Sequence, residues 1–241
     1  MLTVCVVTFN AEHCIEKTLR NLVKNNVVTR IIVKDGLSHD RTPEIVNTFD
    51  DSRIEFVSRK DNGIYNAMNQ AMNMVKDGSY FVFINADDIL INENFDAVNF
   101  TGHDVFISPV ILSQNGKRIK IHCPDITKIN RMNVHHQGFF CRKSAHTPRF
   151  NPSLGLLADL AWMREVINFC GLEKVYCADI PLSEATLCGV SDRQPQARIK
   201  SRFLYHAYFK SNIFRDVNLY KDITKLIFGQ RIKLLVRKII N

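Results

Sequence analysis

Apolar residues recur along the first hundred positions with two alternating periods. Residues 2–9 form a β-branched run read as a strand, and residues 12–24 follow with Ile15, Leu19, Leu22 and Val23 at helical spacing. Residues 30–34 are a second apolar run, ending in Asp35-Gly36. Residues 42–49 read as a short helix with Pro43 in the first turn, where a missing N–H costs nothing. Residues 53–58 predict a third strand, and residues 64–75 a helix with Ala67, Met68, Ala71, Met72 and Val75 on one side. Residues 79–84 predict a fourth strand, almost wholly apolar, as expected of a strand covered on both faces. This alternation predicts an α/β fold: a largely parallel sheet with helices on both faces.

The rhythm changes after residue 100. Residues 104–112 and 117–122 flank Gln114-Asn115-Gly116, a hairpin signal. Residues 139–142 read as a strand, 159–169 as a helix, and 175–177 and 185–188 as short strands. Helical spacing returns at about 196–213 and 216–238, without internal repeat or low-complexity stretch.

Composition narrows the class. A chain of 241 residues, 46% hydrophobic and 23% charged, can bury one substantial core and carry a small appended segment. No run of 18 apolar residues predicts a transmembrane helix, and the start lacks the basic flank and cleavage site of a signal peptide. Seven cysteines, scattered and without a Cys-x-x-Cys pair, predict buried thiols in a reducing, cytoplasmic setting. The net charge of +8 is uneven: residues 195–241 hold 11 of the 32 Lys and Arg against 2 of the 24 Asp and Glu. The body is nearly neutral, and the tail is the basic element.

Open parallel α/β sheets bind ligands at the carboxyl ends of their strands. Asp35 ends the second strand, Asp61 follows the third, and Asp87 and Asp88 follow the fourth. Adjacent carboxylates repel unless a cation is bound, and Mg²⁺ or Mn²⁺ carrying a diphosphate takes oxygen ligands from one or two of them. The bland alternative for each Asp is a helix cap, and for Asp159, which opens an apolar helical stretch, the cap competes directly with a catalytic role. His135-His136 with Cys123 and Cys141 fit no standard zinc spacing. His13, His103 and His206 read as surface or satisfied core residues, and Met68, Met72 and Met74 as packing.

Several blocks in order carry a resemblance: Val6-Val7-Thr8-Phe9-Asn10, then Val33-Lys34-Asp35-Gly36-Leu37-Ser38-His39-Asp40-Arg41-Thr42, then Lys60-Asp61-Asn62-Gly63-Ile64-Tyr65-Asn66-Ala67-Met68-Asn69. Asn85-Ala86-Asp87-Asp88, His136-Gln137, Ala158-Asp159 and Gly189-Val190-Ser191 continue it, so that it spans about residues 1–195. The chain resembles the family-2 glycosyltransferases of the GT-A fold, in particular the bacterial branch that builds exopolysaccharides, capsules and O-antigens. The resemblance implies a Rossmann-like nucleotide-sugar-binding half over 1–100, an acceptor-side half over 101–195, and a basic helical extension over 196–241. It implies that Asp35 and Asp61 hold the nucleoside, with Thr8 and Asn10 lining the same pocket. Asn85-Ala86-Asp87 occupies the D-x-D position, where Asp87 or Asp88 holds Mg²⁺ or Mn²⁺ against the donor diphosphate. Asp159 matches the general base of an inverting transfer, and His136, with Gln137, lies near the diphosphate or acceptor. The chain departs from the pattern at Asn85 for the first Asp of D-x-D, at Asn66 for a more usual Asp, and at Leu37 and Arg41 for small or Gly residues.

The partners implied are a nucleotide-sugar, UDP-linked by preference, and a saccharide or lipid-linked saccharide. The basic tail, with aromatics such as Phe203, Tyr205 and Tyr208 interleaved, reads either as amphipathic helices on an anionic membrane surface or as helices packed back on the body. No nucleic-acid motif accompanies the charge. Two other readings stand beside transfer. One is a sugar nucleotidyltransferase, disfavoured because Thr8-Phe9-Asn10-Ala11 is no Gly-rich signature loop. The other is a nucleotide-sugar-binding scaffold without turnover.

Overall fold

The computed structural model describes residues 1–125, 134–187, 194–211, 216 and 219–224. The first half alternates as the periodicity predicts: β1 (Leu2–Thr8), α1 (Ile15–Val23), β2 (Val28–Asp35), α2 (Thr42–Asn47), β3 (Ile54–Ser58), α3 (Ile64–Met72) and β4 (Tyr80–Asn85). The two-residue β5 (Ile89–Leu90) follows. Then come β6 (Val105–Ile107), β7 (Val110–Gln114), β8 (Lys117–His122), β9 (Phe139–Arg142), α4 (Ala158–Cys170), β10 (Val175–Cys177), β11 (Ser183–Thr186) and α5 (Pro195–Tyr208).

Seven strands form one sheet in the order β10-β6-β9-β4-β1-β2-β3. The strands β1 to β4 run parallel, so their carboxyl ends lie along one edge. Thr8 pairs with Asp35 and Asp35 with Ser58, while Val7 pairs with Asn85. The order reverses between β1 and β4, which is where a doubly wound sheet opens its ligand crevice. β9 inserts antiparallel between β4 and β6. A second sheet, β5-β11-β7-β8, stands beside the first.

Alternation along β1 sends Val4 and Val6 into the core under α1 and α2, and Cys5 and Val7 into the core under α3 and α4. The first of these cores is aliphatic, built on Ile15, Leu19 and Leu22. The second is aromatic, with Phe81, Phe83, Phe139 and Phe150 around the buried Trp162.

Three elements differ from their sequence readings. Residues 104–112 are not one strand: β6 ends at Ile107, and β7 begins at Val110 in the other sheet. Pro109 at the break has no N–H for a ladder bond. The last short strand is Ser183–Thr186 rather than 185–188, and Cys188 lies outside the described residues. Of the two expected C-terminal helices, the first is α5, and the second is described only at 216 and 219–224, helical over 219–224. Residues 225–241 lie outside the described residues, as do Gly189-Val190-Ser191. α5 packs on the aromatic core: Tyr205 is buried there, and Leu156 N donates to Ser201 Oγ at 2.9 Å. Among the described residues no helix is long and apolar enough to cross a membrane.

Candidate active site

The edge of β2 is organised by a lysine that sequence reasoning passed over. Lys34 lies in an apolar strand and is fully buried, and its Nζ donates to Asp35 O and Arg59 O at 2.6 Å and to Asp61 Oδ2 at 3.0 Å. Three acceptors satisfy the three protons of the ammonium, which is what permits a charge there. Gly63 N holds the other oxygen of Asp61 at 3.0 Å. A Cβ on Gly36 would stand 2.9 Å from Asp61 Oδ2, so the glycine leaves room for the pair. Asp35 is fully buried and accepts from Ser38 N at 3.0 Å, from Ser58 Oγ at 2.6 Å and from Ser38 Oγ. Asn10 and Leu37 take positive φ in the adjoining loops, and the Asn10 side chain accepts from His39 N at 2.9 Å. Leu37 takes φ 64°, a conformation in which a bulky non-Gly side chain is strained.

At the end of β4 the two consecutive aspartates have separate work. Asp88 is buried and accepts from Asn85 N at 3.1 Å, Gln137 Nε2 at 2.8 Å and Thr186 N at 2.9 Å. It therefore ties β4 to the segment before β9 and to β11. Burial, reinforced by the charge of Asp87, pushes its carboxyl up to about 6. Asp87 is half-buried; burial raises its carboxyl too, opposed by its own amide and by the Lys17 charge. Of the pair, Asp87 is the one left to face a ligand.

Asp159 lies in the first turn of α4, where unpaired amides favour negative charge. Its Oδ2 is 3.3 Å from His136 Nδ1, and Tyr65 Oη approaches Oδ1 at 3.5 Å. Burial raises the Tyr65 hydroxyl's pKa, and the Asp159 charge adds to the shift, so Tyr65 stays a neutral donor. Tyr65 stacks on Phe150, their ring centroids 6.0 Å apart, which fixes it. The sequence signal for Tyr65 is its place in the Gly63-Ile64-Tyr65-Asn66 block. Asn66 turns to its own loop, its Oδ1 accepting from Asn62 N at 3.3 Å and Gln70 Nε2 at 3.0 Å.

Buried polar atoms without a partner gather among these residues: Thr8 Oγ1, Asn85 Oδ1, His136 Nε2 and Gln137 Oε1. Each such atom costs about 1–3 kcal/mol, and a ligand able to bond them would recover it. No group of three or more His, Cys, Asp or Glu that could hold a metal occurs among the described residues. A divalent cation that arrives with a diphosphate needs fewer protein ligands, and the Asp87 carboxylate with the unpaired Asn85 oxygen fits that demand. A cleft of about 430 Å³ runs from Asp77 and Gly78 to Phe169 and Cys170, at the opposite edge of the sheet, where Lys143 pairs with Asp77 and Arg142 with Asp104.

A family model, Glycosyl transferase family 2, matches residues 3–142. No curated protein sequence matches the chain. Among solved structures, S. aureus TarS 1-349 in complex with UDP-GlcNAc superposes with a TM-score of 0.66 at 17% identity, over 86% of this chain and 65% of that one. The mannosyltransferase PcManGT from Pyrobaculum calidifontis, in complex with GDP-Man and Mn²⁺, gives 0.60 at 16% identity, over 93% and 69%. Glucosyl-3-phosphoglycerate synthase from Mycobacterium tuberculosis, in complex with Mn²⁺, UDP and glucosyl-3-phosphoglycerate, gives 0.53 at 14% identity, over 85% and 78%. The chain thus spans just under two thirds of the TarS structure, and identities this low establish a shared fold. The family match covers more than half of the chain and takes in the whole β1-to-β4 edge and its carboxylates, and on it the chain belongs to glycosyl transferase family 2.

Proposed function

We propose that the chain is an inverting, metal-dependent glycosyltransferase that moves a sugar from a nucleotide-sugar, UDP-linked by preference, to a saccharide acceptor. The carrying observation is the meeting of His136 and Tyr65 on Asp159, from elements 23 and 94 residues away in sequence. A carboxylate held between two side chains, near the strand ends where unpaired atoms gather, is placed as a general base is. Asp159 takes the proton of the acceptor hydroxyl, a contribution of about 10²–10⁴-fold in rate. Tyr65 and His136 keep its oxygens aimed.

Asp61 and Asp35, with Thr8 and Asn10, form the nucleoside end. Asp35 acts there by holding the Ser38 loop to the end of β3 at Ser58, and Asp61 by presenting a carboxylate edge. Asp87, with Asn85, would hold Mg²⁺ or Mn²⁺, which supplies charge neutralisation on the leaving diphosphate worth several kcal/mol. Asp88 serves the same end as a tie to Gln137 and β11 rather than as a ligand. The unpaired His136 Nε2 and Gln137 Oε1 serve the donor–acceptor junction. Residues 1–195 constitute the catalytic unit and 196–241 a basic extension, which rests on an anionic membrane surface where a lipid-linked acceptor is presented. Bacterial polysaccharide assembly is the context this supports.

Purified protein given UDP-, GDP- and dTDP-sugars, with Mn²⁺ or Mg²⁺ and then with EDTA, tests the proposal. The expected result is metal-dependent release of nucleoside diphosphate from one donor, abolished by Asp87→Ala. Binding without release, even with lipid-linked acceptors present, would mark a scaffold instead. No nucleotide binding at all would overturn the whole reading.

A further inference from the structure

Three histidines and a lysine gather on the second-sheet side of Asp159. The β7–β8 register sets Lys120 opposite Leu112 and His122 opposite Val110. Lys120 and His122 therefore share one face, that of the small apolar cluster of Val110, Leu112 and Ala185. The His122 ring meets the His135 ring edge-on, 4.5 Å between centroids. His135 adjoins His136, whose Nδ1 is 3.3 Å from Asp159 Oδ2. On the opposite face of β8 the charge is balanced, since Arg118 Nε donates to Glu184 Oε2 at 2.9 Å. His135 stands among His122, His136, Lys120 and the Asp159 carboxylate; burial first, and then the first three of these neighbours, lower the pKa of His135 to about 4, so its imidazole serves as a neutral N–H donor.

Lys120 supplies a positive charge that draws an anion, and the imidazoles supply N–H donors to hold it. The donor diphosphate is accounted for at Asp87 and Asn85. Through His135 and His136 the row from Lys120 reaches Asp159, the residue assigned to the acceptor hydroxyl. A neutral sugar gains little from a lysine and two imidazoles, whereas a phosphate ester can accept from all three. We propose that Lys120, His122 and His135 form a subsite for a phosphate group carried by the acceptor, an inference that rests on the glycosyltransferase reading above.

The test is a titration of the full chain with glycerol 3-phosphate and with glucuronate, followed through the C2–H resonances of its eight histidines, with UDP and Mg²⁺ saturating the donor site. The expected result is a saturable shift of His122 and His135 by glycerol 3-phosphate. Lys120→Glu should weaken that binding by about tenfold or more while UDP affinity is unchanged. Three results would overturn the subsite: no shift of either ring, an equal shift in Lys120→Glu, or loss of the shift when UDP and Mg²⁺ are added. Glucuronate binding as tightly as glycerol 3-phosphate would overturn the choice of phosphate. Dihexanoyl phosphatidic acid, added below its micellar concentration, separates the sources: tighter binding than glycerol 3-phosphate supports a lipid-carried phosphate, equal binding a soluble one, and both support the subsite. Phosphate binding without any donor turnover would count against the transfer reading and leave the subsite standing.

Discussion

Lys34 Nζ lies 3.0 Å from Asp61 Oδ2, and the lysine is wholly withdrawn from solvent. The pair links the interior of β2 to the first residues after β3, and Arg59 O and Asp35 O complete the ammonium's shell. A buried charge removed from one side leaves the other uncompensated, at a cost of about 3–5 kcal/mol. Lys34→Met should lower the unfolding free energy in urea by about that amount. Adding Asp61→Asn should return part of the loss, as coupled neighbours do. Additive effects of the two substitutions would show that the pair carries no coupling.

Asp159→Asn should reduce the rate of transfer by about 10²–10⁴-fold while nucleotide affinity stays within about twofold. Tyr65→Phe removes only one of the contacts that aim the carboxylate, and should cost about tenfold in kcat with KM for the donor unchanged. A larger loss for Tyr65→Phe than for Asp159→Asn would reverse the roles assigned to the two.

Gly138 stands between His136-Gln137 and β9, and a Cβ there would meet Ser108 O at 2.4 Å and Val110 Cγ2 at 2.8 Å. The nearer atom is backbone and cannot rotate away. Gly138→Ala should therefore destabilise the fold by about 1–3 kcal/mol, the usual range for overpacking. It should also lower transfer activity by shifting His136, which thermal melts and initial rates measured together would reveal.

The pH dependence of stability contains two opposed contributions. His135 falls from its ordinary value near 6.5 to about 4 in the folded chain. Between those values the unfolded chain binds more protons, so this contribution is full above pH 6.5 and is lost as the pH falls toward 4. Asp88 is raised to about 6, so its contribution is full below the ordinary carboxylate range and is lost as the pH rises through 6. Wild-type urea midpoints alone will mix the two. The difference between wild type and His135→Gln, in EDTA, should shift against wild type as the pH drops from 6.5 to 4. A constant difference across that window would show that His135 titrates normally.

The sequence by itself determined the order of strands and helices to β4 and the placement of Asp35, Asp61, Asp87 and Asp88 around the strand ends. The reason is local: period-2 and period-3.6 apolar patterns set the elements, and parallel strands bring every carboxyl end to one edge. Tertiary structure decided which of the two aspartates after β4 remains open. Asp88 is consumed by Gln137 and Thr186, 49 and 98 residues away, and no pattern around residue 88 encodes that. The break at Pro109 was visible as a residue but not as an exchange of sheets, since that depends on β9 entering beside β6. Lys34, Tyr65 and the His122–His135 contact were hidden for the same reason. A side chain's partners across a sheet or between helices are fixed by packing, and a linear pattern records only which face it occupies.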